Sequence, residues 1–333
     1  MKELQKDNYF MKKNAILFLI FFSVGSSFAQ TKIIFDADID TDCDDAAALA
    51  ILHALADKGE AKILATVVST RYPYSAPCVE AINRYYGRQD IPIGAPKTKW
   101  ANTGSRGSKY AKQITEEFKT SLKSNNDAPD AVKVYRQILA NQKSNSVVIL
   151  TVGYLTNLRD LLESKPDDFS PLNGVELVRQ KVKYWVCTGG THPSDYNPAV
   201  RGNYTPDPIS AAIAVRNWPT PIWFSGAGNN IRTGGLLNKT PANNPVRRVY
   251  KLFLQKKNTR PSWDPIAVLF AVRSNAGFWK IRKGGYYHFF KNGTYEWYEK
   301  PNKEQYMVEL KNGVEKKLTE TLDLLMSQPP LKK

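Results

Sequence analysis

Short apolar runs alternate along the chain with stretches of helical period. Ile33-Ile34-Phe35, residues 61–69 (AKILATVVS), residues 147–152 (VVILTV) and Lys183 to Cys187 are apolar and β-branched with little polar alternation. Strands buried on both faces of a parallel sheet read this way. An alanine-rich helical stretch after the first run ends near Lys58-Gly59, so residues 33–69 form a strand–helix–strand unit with a right-handed crossover. A loop from Thr70 to Pro77, a helix and a short Asp-Ile-Pro-Ile-Gly strand at 90–94 follow. Residues 99–130 are polar, with weak periodicity, and predict an exposed excursion over a pocket. Gly153 permits a tight turn after VVILTV, and Thr156 or Asn157 caps the next helix. Asp207 before Pro208 and Asp264 before Pro265 are acid-capped helix starts. The aromatic segment GGYYHFFKNGTYEWYEK is a hairpin around Asn292-Gly293, and a last helix from Gly313 to Met326 closes the sheet. With no repeat or linker in view, residues 31–333 are expected to form one α/β domain.

The N-terminal residues 1–30 follow a different logic. A Lys-Lys pair, an apolar core from Ala15 to Val24 and a Ser-Phe-Ala end predict a cleavable secretory signal starting at Met11, with cleavage after Ala29. The apolar core is too short to span a bilayer, and no Cys follows it to accept lipid. A periplasmic or secreted protein with no membrane attachment is the expectation. Of the 333 residues, 42% are hydrophobic and 23% charged, which suits one large core. The net charge is +16, and the four Lys and two acids of residues 1–30 account for two of it, leaving +14. That charge is dispersed, with no zinc-finger, RNP or KH pattern, so nucleic acid is not the expected partner. Three widely spaced cysteines, Cys43, Cys78 and Cys187, leave at least one thiol free and make no disulfide framework.

Chemistry concentrates where the first strand meets its helix. Asp36, Asp38, Asp40, Asp42, Asp44 and Asp45 place six carboxylates in ten residues, at the site where open α/β sheets bind ligands. Helix capping and the helix dipole absorb two or three of these charges. The remainder repel one another and call for a hard cation, Ca²⁺ or Mg²⁺. An EF-hand is excluded, because the sixth position from Asp36 is Thr41 and the twelfth is Ala47. A haloacid-dehalogenase-type phosphatase is excluded by Asp40, where that pattern has Thr or Val.

The segment DADIDTDCDDAAALA resembles the opening signature of the calcium-dependent, inosine-uridine preferring nucleoside hydrolase family, with Asp40 at the signature's glycine. Three further blocks follow in the family's order. These are VVILTVGYLTN, with Tyr154 for the usual proline; the segment from Asp195 to Ala212, similar to A-E-F-N-x-x-x-D-P-E-A-A; and Ser262-Trp263-Asp264-Pro265, similar to H-D-P-x-A. The resemblance implies an open, mostly parallel Rossmann-like sheet flanked by helices, with the hairpin at its C-terminal end. It further implies Ca²⁺ held by Asp38, Asp45, Asp264 and the Val152 carbonyl, with Asp38 as general base. Asp44, Thr70, Asp195, Asn203, Arg201 and Trp263 are the implied substrate contacts.

Arg201 stands where the family has a sugar-binding Glu, which favours an anionic substrate group, and Trp263 replaces the His that protonates the departing base. His192 is the histidine placed to stand in for it; His53 and His288 read as structural. The loop is two residues longer than the short signature. Anchoring from the helix end would make Asp40 the base; anchoring from the strand end selects Asp38. The expected function is hydrolysis of ribonucleosides to ribose and free base, by a chain able to form homo-oligomers. The other reading is a catalytically weak sugar- or nucleoside-binding protein of the same fold.

Overall fold

The computed structural model describes residues 30–98, 109–190, 202–290, 294–300 and 304–331. In chain order the elements are β1 (Thr31–Ala37), α1 (Asp44–Asp57), β2 (Ala61–Val68), α2 (Ser75–Tyr85), β3 (Ile93–Gly94), α3 (Ala111–Glu117), α4 (Ala131–Ala140), β4 (Val147–Thr151), α5 (Thr156–Glu163), α6 (Gly174–Lys181), β5 (Val182–Thr188), α7 (Pro208–Asn217), β6 (Ile222–Ser225), β7 (Arg232–Thr233), α8 (Pro245–Leu254), β8 (Arg260–Pro261), α9 (Trp263–Val272), β9 (Trp279–Phe289), β10 (Tyr295–Glu299), β11 (Gln305–Leu310) and α10 (Glu315–Met326). The expected signal peptide and the hairpin turn at Asn292-Gly293 lie outside the described residues. Among the described residues, no helix is long and apolar enough to cross a membrane.

One nine-stranded sheet runs in the order β10-β9-β11-β6-β5-β4-β1-β2-β3. From β3 to β6, and on to β11, neighbouring strands are parallel; β9 and β10 add an antiparallel edge. The chain therefore forms the expected open, mostly parallel α/β sheet. Its strands fill both cores: Ile33 and Phe35 of β1 enter one hydrophobic cluster and Ile34 the other. Burial on both faces is why these runs lack alternation. Helix α1 is buried from Asp44 through Leu55 and packs against α9, α10 and β2. An all-round alanine-rich sequence suits that central place.

The order places a topological switch between β1 and β4, since β2 and β3 extend one way and β5 and β6 the other. Register brings the strand ends level there. Asp36 pairs with Thr151, Thr151 with Cys187, and Thr188 with Ser225. The residues just past these ends, Asp38, Val152, Gly189 and Gly226, therefore open together into one crevice, the usual ligand site of such sheets.

Two sequence expectations change. Residues 109–117 are no exposed excursion: Tyr110, Ala111 and Ile114 are fully buried, and α3 packs on α2 and α8. The C-terminal hairpin is part of a three-stranded unit, with β11 inserted between β9 and β6.

Candidate active site

Each acid of the loop meets a different environment. Asp36, still within β1, accepts from the Tyr135 hydroxyl at 2.9 Å and Asn157 Nδ2 at 3.0 Å. Burial, only partly offset by those two bonds, pushes its pKa up to about 7. Asp38 follows the strand end and accepts from the Thr41 hydroxyl at 2.8 Å. Burial pushes its pKa up to about 6.

Asp40 turns the other way. Its φ is +90°, a left-handed conformation that Asp adopts more readily than most residues. Its carboxylate accepts from the backbone N–H groups of Tyr110 at 2.8 Å and Ala111 at 2.7 Å, at the start of α3. The Tyr110 hydroxyl accepts from Asp40 N and donates to the Asp42 carbonyl, each at 2.7 Å. Asp40 is 2% exposed and lines no part of the crevice. Asp42 faces Arg260 in a bidentate pair, with Nε 2.9 Å from Oδ1.

Asp44 and Asp45 open α1. Asp44 Oδ2 accepts from the backbone N–H of Trp263 at 3.1 Å and of Asp264 at 3.3 Å, so one helix supplies the cap of another. Asp44, Asp45 and Asp264 each offer an oxygen within 4.8 Å of the others, and all three are buried. Burial first and neighbouring carboxylates second hold their pKa values well above the usual range. At that spacing two ionised carboxylates repel by roughly 3 kcal/mol with an effective dielectric near 20. Asp45 Oδ1 is buried without a hydrogen-bond partner, and the nearby Asp38 carboxylate raises the Asp45 pKa further. Crowded anionic oxygens with an orphaned lone pair fit a hard divalent cation, which satisfies all of them at once.

The crevice has a volume of about 470 Å³. Asp38, Asp44, Asp45, Val152, Asn203, Trp263 and Asp264 line it together, so blocks scattered over the sequence meet. Asn203 Nδ2 donates to the Val152 carbonyl at 2.5 Å. Thr70 is not brought in: it is fully buried, and its hydroxyl accepts from Tyr72 N at 3.0 Å. Asp195, Arg201 and His192 lie outside the described residues. His53 is structural, buried against Asn83 and stacked on Tyr86. Asp207 caps α7 through Ser210 N. Cys43, Cys78 and Cys187 are all buried free thiols.

The sequence reading missed Arg260 and Asn229, which line the crevice mouth on the side of Trp263. An available signal was Asp42, a loop acid in need of a counter-charge, together with an Arg three residues before Trp263.

A family profile described as inosine-uridine preferring nucleoside hydrolase matches residues 33–319. No curated protein sequence matches the chain. The solved structure of a plant nucleoside hydrolase superposes with a TM-score of 0.61 at 18% identity, covering 90% of this chain and 99% of that one. An inosine-uridine preferring nucleoside hydrolase from Bacillus anthracis gives 0.64 at 15% identity, covering 90% and 99%. The type III effector protein XopQ, complexed with adenosine diphosphate ribose, gives 0.63 at 15% identity, covering 91% and 95%. At these identities the structural likeness is one of fold.

Proposed function

This chain belongs to the inosine-uridine preferring nucleoside hydrolase family, and from that premise we propose that it hydrolyses the N-glycosidic bond of ribonucleosides with Asp38 as general base and Ca²⁺ as cofactor. The observation that carries the reading is the buried carboxylate floor at the β1/β4 switch, where Asp45 Oδ1 lacks a partner. Asp38, Asp45, Asp264 and the Val152 carbonyl are the oxygens proposed to hold the ion, which when bound supplies a water of lowered pKa.

Asp38 takes the proton of the attacking water. The strand end fixes its carboxylate in the crevice, where it is braced by the Thr41 hydroxyl at 2.8 Å. Asp44 and Asn203 hold ribose hydroxyls. Asp44 is fixed for this by the α9 backbone, and Asn203 by the Val152 carbonyl. The enclosing floor, with Asp38, Asp44 and Asp45 at most 2% exposed, limits water around the anomeric carbon. Residues 1–30 are proposed to export the protein before it acts.

A second reading, a nucleoside- or sugar-binding protein with little turnover, is favoured by one observation: Trp263, whose indole cannot donate a proton at neutral pH, occupies the rim. One assay separates the two. Purified residues 31–333 are incubated with a nucleoside panel, and ribose and free base are measured with and without EDTA. EDTA-sensitive release of both supports hydrolysis; nucleoside binding without release supports the second reading.

A further inference from the structure

The crevice is graded in depth and charge. The floor carboxylates Asp38, Asp44, Asp45 and Asp264 are at most 6% exposed. Arg260, Trp263 and Asn229, none of them buried, form one side of the rim, with Thr41, Asp42, Gly190, Gly202 and Asn203 as the other non-buried lining residues described. Arg260 is the one cation among the described crevice-lining residues. On the nucleoside hydrolase reading, a ribose seated on the floor has room to turn its base toward Arg260 and Trp263.

Arg260 is firmly held. Nε and Nη2 both bond the Asp42 carboxylate. The guanidinium lies over the Trp263 ring, 5.4 Å from its centroid, and over Phe253 at 5.6 Å. Trp263 is itself fixed, donating from Nε1 to Asn229 Oδ1 at 3.0 Å. One indole face is thus taken by the guanidinium. Nη1 of Arg260 makes no hydrogen bond to the described residues.

We propose that Arg260 is the residue that receives the departing base, by donating a hydrogen bond from its guanidinium to a ring nitrogen or carbonyl oxygen of that base. This rests on the nucleoside hydrolase reading above. As the C1′–N bond breaks, its electron pair goes to the base nitrogen, while the water oxygen bonds to C1′ and Asp38 takes the water proton. Solvent later protonates the base and accepts the proton from Asp38, so one water is consumed. The guanidinium keeps its own protons throughout: burial lowers its pKa, but Asp42 and Asp44 raise it by more. Because negative charge reaches the base only as the bond breaks, the fixed cation is felt more strongly in the transition state than in the bound substrate. Arg260 thereby does electrostatically what an acid would do by proton transfer.

The test uses two substrates, inosine and p-nitrophenyl riboside, whose leaving group is stable as an anion without help. Arg260→Gln should lower kcat on inosine about 100-fold, the order expected for losing one fixed donor to a developing anion, and change the p-nitrophenyl riboside rate only a few-fold. Arg260→Lys, which keeps the charge, should lose less on inosine. The double variant Asp42→Asn/Arg260→Gln leaves no unpaired carboxylate and should show the same selective loss, so misfolding of the single variant would not hide the effect. Equal losses on both substrates, or an unchanged inosine rate, would overturn the proposal and leave Arg260 a clamp on the loop. If the wild type cleaves neither substrate, the hydrolase reading falls and this proposal with it.

Discussion

Within the acid loop, the partners of each carboxylate separate structural from chemical residues. Asp40 is satisfied by the N–H groups that open α3, whereas Asp45 has a bare buried oxygen. Asp40→Ala should therefore cost about 1–2 kcal/mol in urea unfolding, the usual loss for a helix cap, and leave kcat within a few-fold. Asp38→Asn should instead abolish turnover while nucleoside affinity changes only a few-fold, because a base acts in the transition state. If Asp40 rather than Asp38 proves essential, the base assignment is wrong. The loop's acidity has a pH consequence as well. Burial holds Asp38 at about 6 and Asp36 at about 7, above their unfolded values, so each stabilises the metal-free fold at low pH and loses that effect as pH rises through its folded pKa. EDTA-treated protein should become less stable between pH 5 and 7.5, by up to about 1.4 kcal/mol per pH unit for each proton released. Urea midpoints across that range check it, and Asp36→Asn should flatten the upper part.

The elements hold these residues through close backbone approach. A Cβ on Gly153 would stand 2.4 Å from Asp38 N and 2.3 Å from Ser69 Oγ, so the turn after β4 fits against the end of β1 only without a side chain. Gly153→Ala should cost about 1–3 kcal/mol, the range for overpacking, and shift Asp38 enough to lower kcat. Unchanged thermal unfolding and unchanged kcat in that variant would contradict the packing described. The buried strands β1, β2, β4 and β5 were legible in the sequence because burial on both faces leaves continuous apolar runs. β11 was not, because its two buried residues, Met307 and Val308, are adjacent and flanked by half-buried ones, giving neither a long run nor an alternation. The burial of Tyr110 was hidden too, since it depends on Asp40 and Asp42, about 70 residues away in sequence.

Over the whole molecule, the sheet order turns four distant sequence blocks into one crevice. The blocks holding Asp38, Asp45, Val152, Asn203 and Asp264 were legible because each sits at a strand end or helix start, where local pattern and chemistry coincide. The rim was not: the Asp42–Arg260 pair spans 218 residues, and only the folded chain brings its halves together. The same assembly brings together the oxygens proposed to hold a cation, from just past the ends of β1 and β4, from α1 and from α9, which no single segment could supply. The most direct measurement is the initial rate of inosine hydrolysis by metal-stripped residues 31–333 during a calcium titration, beside the Asp45→Ala variant. The account predicts a saturable rise from a negligible rate in the wild type and almost no rise in the variant. A wild-type rate independent of calcium, or a full rise with Asp45→Ala, would contradict it.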